Sequence, residues 1–290
     1  MPSPRRALEP GHAHVDLSRC FLPEGLAGGS ARRSLSEEDA VRLNQIRAAS
    51  YLHVFQILEE IVAAGARTRA RDGTEVLEAL APILRFDAFD HASLFRTFLD
   101  DFGRAFPVAH RRVAWPRELE AVVGSAVPHA LLVLALHLKL VTQQHYLACV
   151  RGDQALEPGF VRLLREHWTL ECGGERTSGS VVAIQSTLTR ILPGRIPSAL
   201  RDYKLVVFAI DDLLERQAEL DVQTLEDARG ATLTPASHRR AVLDVETAAH
   251  RKTFLTMGIV NAAFVYAMRS LGPTAPAMLA GVVASLTSRT

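Results

Sequence analysis

The stretch that decides the fold is ALLVLALHLKLVTQQHYLACV, residues 130–150. Apolar side chains occupy nearly every position rather than one face, which is typical of a helix buried in the middle of a helical bundle. Its most apolar part, residues 131–136, is too short to cross a bilayer as one uncharged span. The stretch therefore predicts a central bundle helix, which we name helix C.

Three other segments before residue 193 show apolar residues at helical spacing. Helix A runs from Ser36 to Gly65, helix B covers residues 76–102, and helix D covers residues 160–192. Between helices B and C, the segment 106–128 contains three prolines and predicts a long connection rather than one helix. Two hairpins joined by a long crossover between the second and third helices are the connectivity of ferritin-like four-helix bundles.

These patterns divide the chain into three predicted parts. Residues 1–34 are rich in Pro, Gly, Arg and Ser and predict a flexible N-terminal arm. Residues 35–192 form the predicted ferritin-like bundle. Residues 193–290 add further helices packed on the bundle, one beginning near Ser198 and one covering residues 235–257. Long runs of alternating residues are missing, so the expected fold class is all-α.

Composition excludes several classes of function. Lys plus Arg number 33 and Asp plus Glu 32, so we expect neither a nucleic-acid partner nor a membrane partner. No apolar segment follows the N-terminal arginines, and the expected location is cytoplasmic. Phosphate-binding glycine loops, nucleophile elbows and paired-cysteine zinc motifs do not occur. A homodimer and an unidentified small-molecule substrate both remain open.

Helices A and B each carry a residue that could take part in chemistry. Glu59 lies beside the apolar stripe of helix A, where it is either a metal ligand or a carboxylate that faces solvent. His91 lies on the apolar face of helix B, one turn after Asp87. It is either a core histidine paired with that carboxylate or a metal ligand.

Three short motifs follow in order along helices B, C and D. They are HASLFR at 91–96, TQQHY at 142–146 and HWTLE at 167–171. Together they resemble a branch of the ferritin-like superfamily, some of whose members are non-haem di-iron carboxylate proteins. The resemblance covers about residues 43–180, with a looser similarity over 211–230. It implies a site for iron or manganese whose candidate ligands are Glu59, Asp87, His91, His145, His167 and Glu171.

The chain departs from this family pattern at three positions. Ala88 stands where a Glu is expected three residues before His91, and Gly174 stands where a His is expected after Glu171. Lys139 takes the inward place of a carboxylate on helix C. It either faces the core and neutralises the remaining carboxylates or extends to solvent at a bundle end.

Two hypotheses follow from these departures. In the first, the metal site is degenerate, no metal or a single metal is bound, and the protein works by binding or assembly. In the second, the chain is a non-haem iron or manganese oxidoreductase with a non-standard ligand set.

Overall fold

A computed structural model of the protein describes residues 15–27, 34–69, 92–171, 178–190 and 193–288. Helices account for most of these residues and no strand occurs among them, which confirms the predicted all-α class. In chain order the helices are α1 (Glu24–Ala27), α2 (Glu37–Arg69), α3 (92–105), α4 (Arg117–Ser125), α5 (Pro128–Gln144), α6 (Pro158–Glu171), α7 (Ser178–Thr189), α8 (Ile196–Arg229), α9 (Ala236–Arg251), α10 (Met257–Ile259), α11 (Ala262–Ser270) and α12 (Thr274–Thr287).

Two short π-helical segments continue long helices. His145–Val150 follows α5, and Lys252–Thr256 follows α9. The predicted helix C is therefore α5 with its π-helical extension. All residues from Ala130 to Thr142 are buried, as expected for a helix surrounded by others. Within the described parts of the chain, no helix combines the length and apolar character needed to span a bilayer.

Helix A was predicted to end at Gly65, whereas α2 continues to Arg69. The glycine serves packing rather than termination. A Cβ added to Gly65 would lie 2.9 Å from Cγ1 of Val123, so its missing side chain lets α4 approach α2 closely. α4 lies within the predicted crossover, between Pro116 and Pro128.

Helices B and D are described in part. α3 matches the second half of helix B, and residues 70–91 lie outside the described residues. α6 and α7 cover the beginning and end of helix D, and residues 172–177 between them are likewise outside the description.

Part of the predicted flexible arm packs into the core. Val15, Phe21, Leu22 and Leu26 are buried. The Phe21 ring stacks on that of Phe160 with centroids 5.7 Å apart. Few apolar residues suffice here, because they enter an aromatic cluster contributed by other helices rather than forming a core of their own.

α8 lies at the centre of the molecule although it falls in the predicted C-terminal addition. It packs against α2, α4, α5, α9 and α12. It ends at Gly230, whose φ of 66° is the left-handed conformation that commonly closes a helix. One hydrophobic core extends from Val15 to Leu286, so the segments on either side of residue 193 share it.

Candidate functional site

The structure brings together two of the predicted metal ligands, Glu59 on α2 and His167 on α6. His167 Nε2 lies 3.5 Å from Glu59 Oε1. The His167 side chain is 1% exposed and that of Glu59 is 14% exposed. The rings of Phe55 and Phe95 pack edge-on against the imidazole, with centroids 5.7 and 4.8 Å away. The pair therefore lies in an apolar, largely dehydrated pocket.

Lys139 is buried on α5, with 6% of its surface exposed. Most of its side chain is therefore withdrawn from water, as expected if it faces the core rather than solvent. A buried ammonium group is stable only when anions or hydrogen-bond acceptors compensate its lost hydration.

His145 is bonded through both ring nitrogens. Its Nε2 lies 3.1 Å from the Thr253 carbonyl oxygen, which can only accept, so Nε2 carries the proton. Its Nδ1 then accepts from the Tyr51 hydroxyl at 2.9 Å. Burial lowers the pKa of His145 to about 3, which keeps the imidazole neutral. Coordination of a metal by His145 would break one of these bonds.

His137, which the sequence did not single out, repeats this arrangement two turns earlier on α5. Its Nε2 donates to the Phe254 carbonyl at 2.9 Å, and its Nδ1 accepts from the Tyr203 hydroxyl at 2.6 Å. Burial lowers the pKa of His137 to about 4. The two histidines thus tie α5 to the π-helical segment Lys252–Thr256.

The other predicted ligands have no described side chains. Asp87 and His91 lie outside the described residues, as do Ala88 and Gly174. Glu171 is the last residue of α6, and only its backbone is described.

A second buried cluster involves none of the predicted residues. His250 Nε2 on α9 lies 2.8 Å from Asp221 Oδ2 on α8 and 3.4 Å from Glu246 Oε1. One ligand atom from each of the three residues lies within 4.8 Å of the other two, so the cluster could hold a metal ion. Asp221 and Glu246 are fully buried.

Glu246 is held by Arg47 of α2. Arg47 Nε donates to Glu246 Oε1 at 2.7 Å, and Nη2 donates to Oε2. Nη1 donates to the carbonyl oxygen of Ala27. Burial alone would lower the pKa of Arg47, but its pairing with Glu246 raises it above the usual value. The two groups form a bidentate ion pair in the protein interior.

Asp221 accepts hydrogen bonds from several donors. Ser50 Oγ donates to its Oδ1 at 2.5 Å, and Gln217 Nε2 donates to the same oxygen at 2.8 Å. His110 Nε2 lies 2.8 Å from Ser50 Oγ. Because the Ser50 hydroxyl donates its one proton to Asp221, its oxygen accepts from His110. Burial alone would raise the pKa of Asp221, but the nearby His110, whose Nε2 lies 3.8 Å from Oδ1, and the hydrogen bond with His250 hold that pKa well below the usual range. Asp221 is accordingly ionised.

The same network fixes the crossover between α3 and α5. The Val113 amide donates to Gln217 Oε1 at 2.9 Å, and the Arg111 amide donates to Thr224 Oγ1 at 3.1 Å. These two backbone amides belong to no helix or sheet. Side chains of α8 supply their hydrogen-bond partners instead.

A sequence signal for this cluster exists but is weak. On α9, Glu246 and His250 are one turn apart, and Val242 and Ala249 at helical spacing from Glu246 are also buried. A carboxylate within such an apolar stripe indicates a buried partner. The partner of Glu246 is Arg47, which lies 199 residues earlier in the chain, so only the tertiary fold identifies it.

Comparison of the chain with family models, with curated proteins and with solved structures finds no match.

Proposed function

We propose that this chain is a ferritin-like helical-bundle protein, related to di-iron oxidoreductases, whose metal site is degenerate and which acts by binding or assembly. The observation that carries the proposal is the burial of Lys139 on α5, at the position where the family resemblance expects a carboxylate ligand. An ammonium group at that position would oppose the binding of a metal cation.

The remaining ligands do not fit two metal ions. Di-iron bundles of this kind use four carboxylates and two histidines from four helices. Here Ala88 and Gly174 have no side-chain atom that can coordinate a metal, and His145 already bonds Tyr51 and Thr253. Glu59 and His167 remain adjacent. These residues offer too few anionic ligands to balance two divalent metals, so we derive no metal-dependent reaction from them.

Restoring the missing ligands tests this proposal. A variant with Lys139→Glu, Ala88→Glu and Gly174→His supplies the three groups that the resemblance expects. We expect it to contain more iron per chain than the unmodified protein after growth with added iron, as measured by mass spectrometry. A matched variant with Lys139→Gln and the same two other changes removes the ammonium without adding a carboxylate, and it should gain less.

Equal iron in the Glu and Gln variants would show that position 139 does not face the metal site. Unchanged metal content in a folded Glu variant would show that the helices are aligned wrongly. Either result removes the basis for a degenerate di-iron site.

The alternative is a non-haem di-iron or di-manganese oxidoreductase with the non-standard ligands Glu59, Asp87, His91 and Glu171. His145 or His167 would add a further ligand. The 3.5 Å approach of His167 to Glu59 favours it over an unrelated function. Two tightly held metals per chain that His91→Ala abolishes would establish this alternative.

Cytoplasmic location and a homodimeric state belong to the same proposal. Near-equal numbers of acidic and basic residues support the absence of nucleic-acid and anionic-membrane partners. Sedimentation at several protein concentrations would determine the oligomeric state.

A further inference from the structure

The guanidinium of Arg47 lies against the Asp221–Glu246–His250 cluster and carries a positive charge. Both oxygens of the Glu246 carboxylate accept hydrogen bonds from the Arg47 guanidinium. Arg47 is 3% exposed, so this ion pair is sheltered from solvent. The guanidinium therefore occupies the carboxylate that a metal at this cluster would need.

The three residues are otherwise suited to a metal. Two carboxylates and one imidazole form a donor set that binds divalent transition metals such as Zn²⁺ and Mn²⁺. Their ligand atoms already lie within 4.8 Å of one another. A divalent ion placed there would face the guanidinium across a short distance in a poorly polarisable interior, where like charges repel strongly. Arg47 and a metal are therefore mutually exclusive occupants.

We propose that Arg47 is a built-in cation that takes the place of a divalent metal at the Asp221–Glu246–His250 cluster, so that the native chain carries a latent metal site which Arg47 keeps closed. This centre is separate from the Glu59–His167 pair. Glu59 lies twelve residues after Arg47 on α2, which corresponds to about 18 Å along a helix. The inference does not depend on the proposed function.

The test replaces Arg47 by Met, which keeps most of the side-chain volume and removes the charge. Arg47→Met leaves the buried Glu246 carboxylate without its guanidinium, so its melting temperature in EDTA should fall well below that of the wild type. Saturating Zn²⁺ or Mn²⁺ should then raise the melting temperature of the variant by about 5 °C or more. The same metals should leave the wild type unchanged.

Three double variants serve as matched controls. Arg47→Met with Glu246→Gln removes the anion together with the cation, so it should fold in EDTA and respond little to metal. Arg47→Met with His250→Ala should lose the metal response, whereas Arg47→Met with His91→Ala should keep it.

Two results would overturn the proposal. One is an Arg47→Met protein that gains nothing from either metal while the Arg47→Met, Glu246→Gln protein folds. The other is a wild-type chain that takes up one metal ion which His250→Ala removes.

Discussion

His137 shows how single polar residues are accommodated in this core. An imidazole in an apolar interior must bond through both nitrogens, and here a main-chain carbonyl and a tyrosine hydroxyl meet that requirement. Gly258 lies directly against the ring, where a side chain would collide with it. The neutral imidazole therefore fits the core, whereas an imidazolium ion would bring a buried charge.

This arrangement predicts that acid destabilises the protein. The pKa of His137 falls from 6.5 in the unfolded chain to about 4 in the folded protein, so the unfolded state takes up the proton first. The contribution to stability is complete above pH 6.5 and is lost as the pH falls from 6.5 towards 4. Between pH 7.5 and pH 5 we expect the free energy of unfolding to drop by about 2 kcal/mol through this residue.

Urea unfolding of the wild type and of His137→Asn at the two pH values measures this effect. Asparagine retains a donor for the Phe254 carbonyl but does not titrate, so its stability should depend less on pH. Other buried histidines contribute equally to both proteins. Identical pH dependence in the two proteins would show that His137 is not the titrating group.

At the scale of elements, the docking of residues 15–27 depends on side chains of α2. Asn44 Oδ1 accepts from the amides of Phe21 and Leu22, and Asn44 Nδ2 donates to the Leu22 carbonyl. Gln45 Nε2 donates to the carbonyls of Leu17 and Arg19. The sequence predicted an arm without fixed structure, because these four residues of the segment gain their hydrogen-bond partners only from another helix.

Asn44→Ala should therefore destabilise the protein substantially. It leaves two buried amides and one buried carbonyl without partners, which predicts a loss of about 3 kcal/mol in the free energy of unfolding. Glu38→Ala on the same helix is the control. The Glu38 side chain is 71% exposed and pairs with Arg42, so its loss should change stability by about 0.5 kcal/mol or less. Equal effects of the two changes would mean that the segment does not dock through Asn44.

At the scale of the whole molecule, the sequence predicted the helices better than their assembly. Helix C was recognisable because apolar residues occupy nearly every position of 130–142. The central place of α8 was not, because Val206, Val207 and Leu214 show only that the helix has an apolar face and not which helices cover it. The spacing of apolar residues indicates which face of a helix is buried, but not which other helices cover that face.

The candidate sites differ in the same way. Glu59 and His167 were named from the sequence as candidate ligands, through helical spacing and a family resemblance, and their side chains lie 3.5 Å apart. The Asp221 network joins Ser50, His110, Gln217 and His250 from four distant segments, and no local pattern links them. Each residue is ordinary within its own helix or loop, so only the fold shows that they form one cluster.

We propose that Lys139 and the missing ligands prevent a di-iron site. The most direct test of this proposal is the number of iron atoms per chain in the unmodified protein, purified from iron-supplemented cells and measured by mass spectrometry. We predict well under two. Two tightly bound irons per chain, lost on His91→Ala, would contradict the account and establish a working di-iron centre.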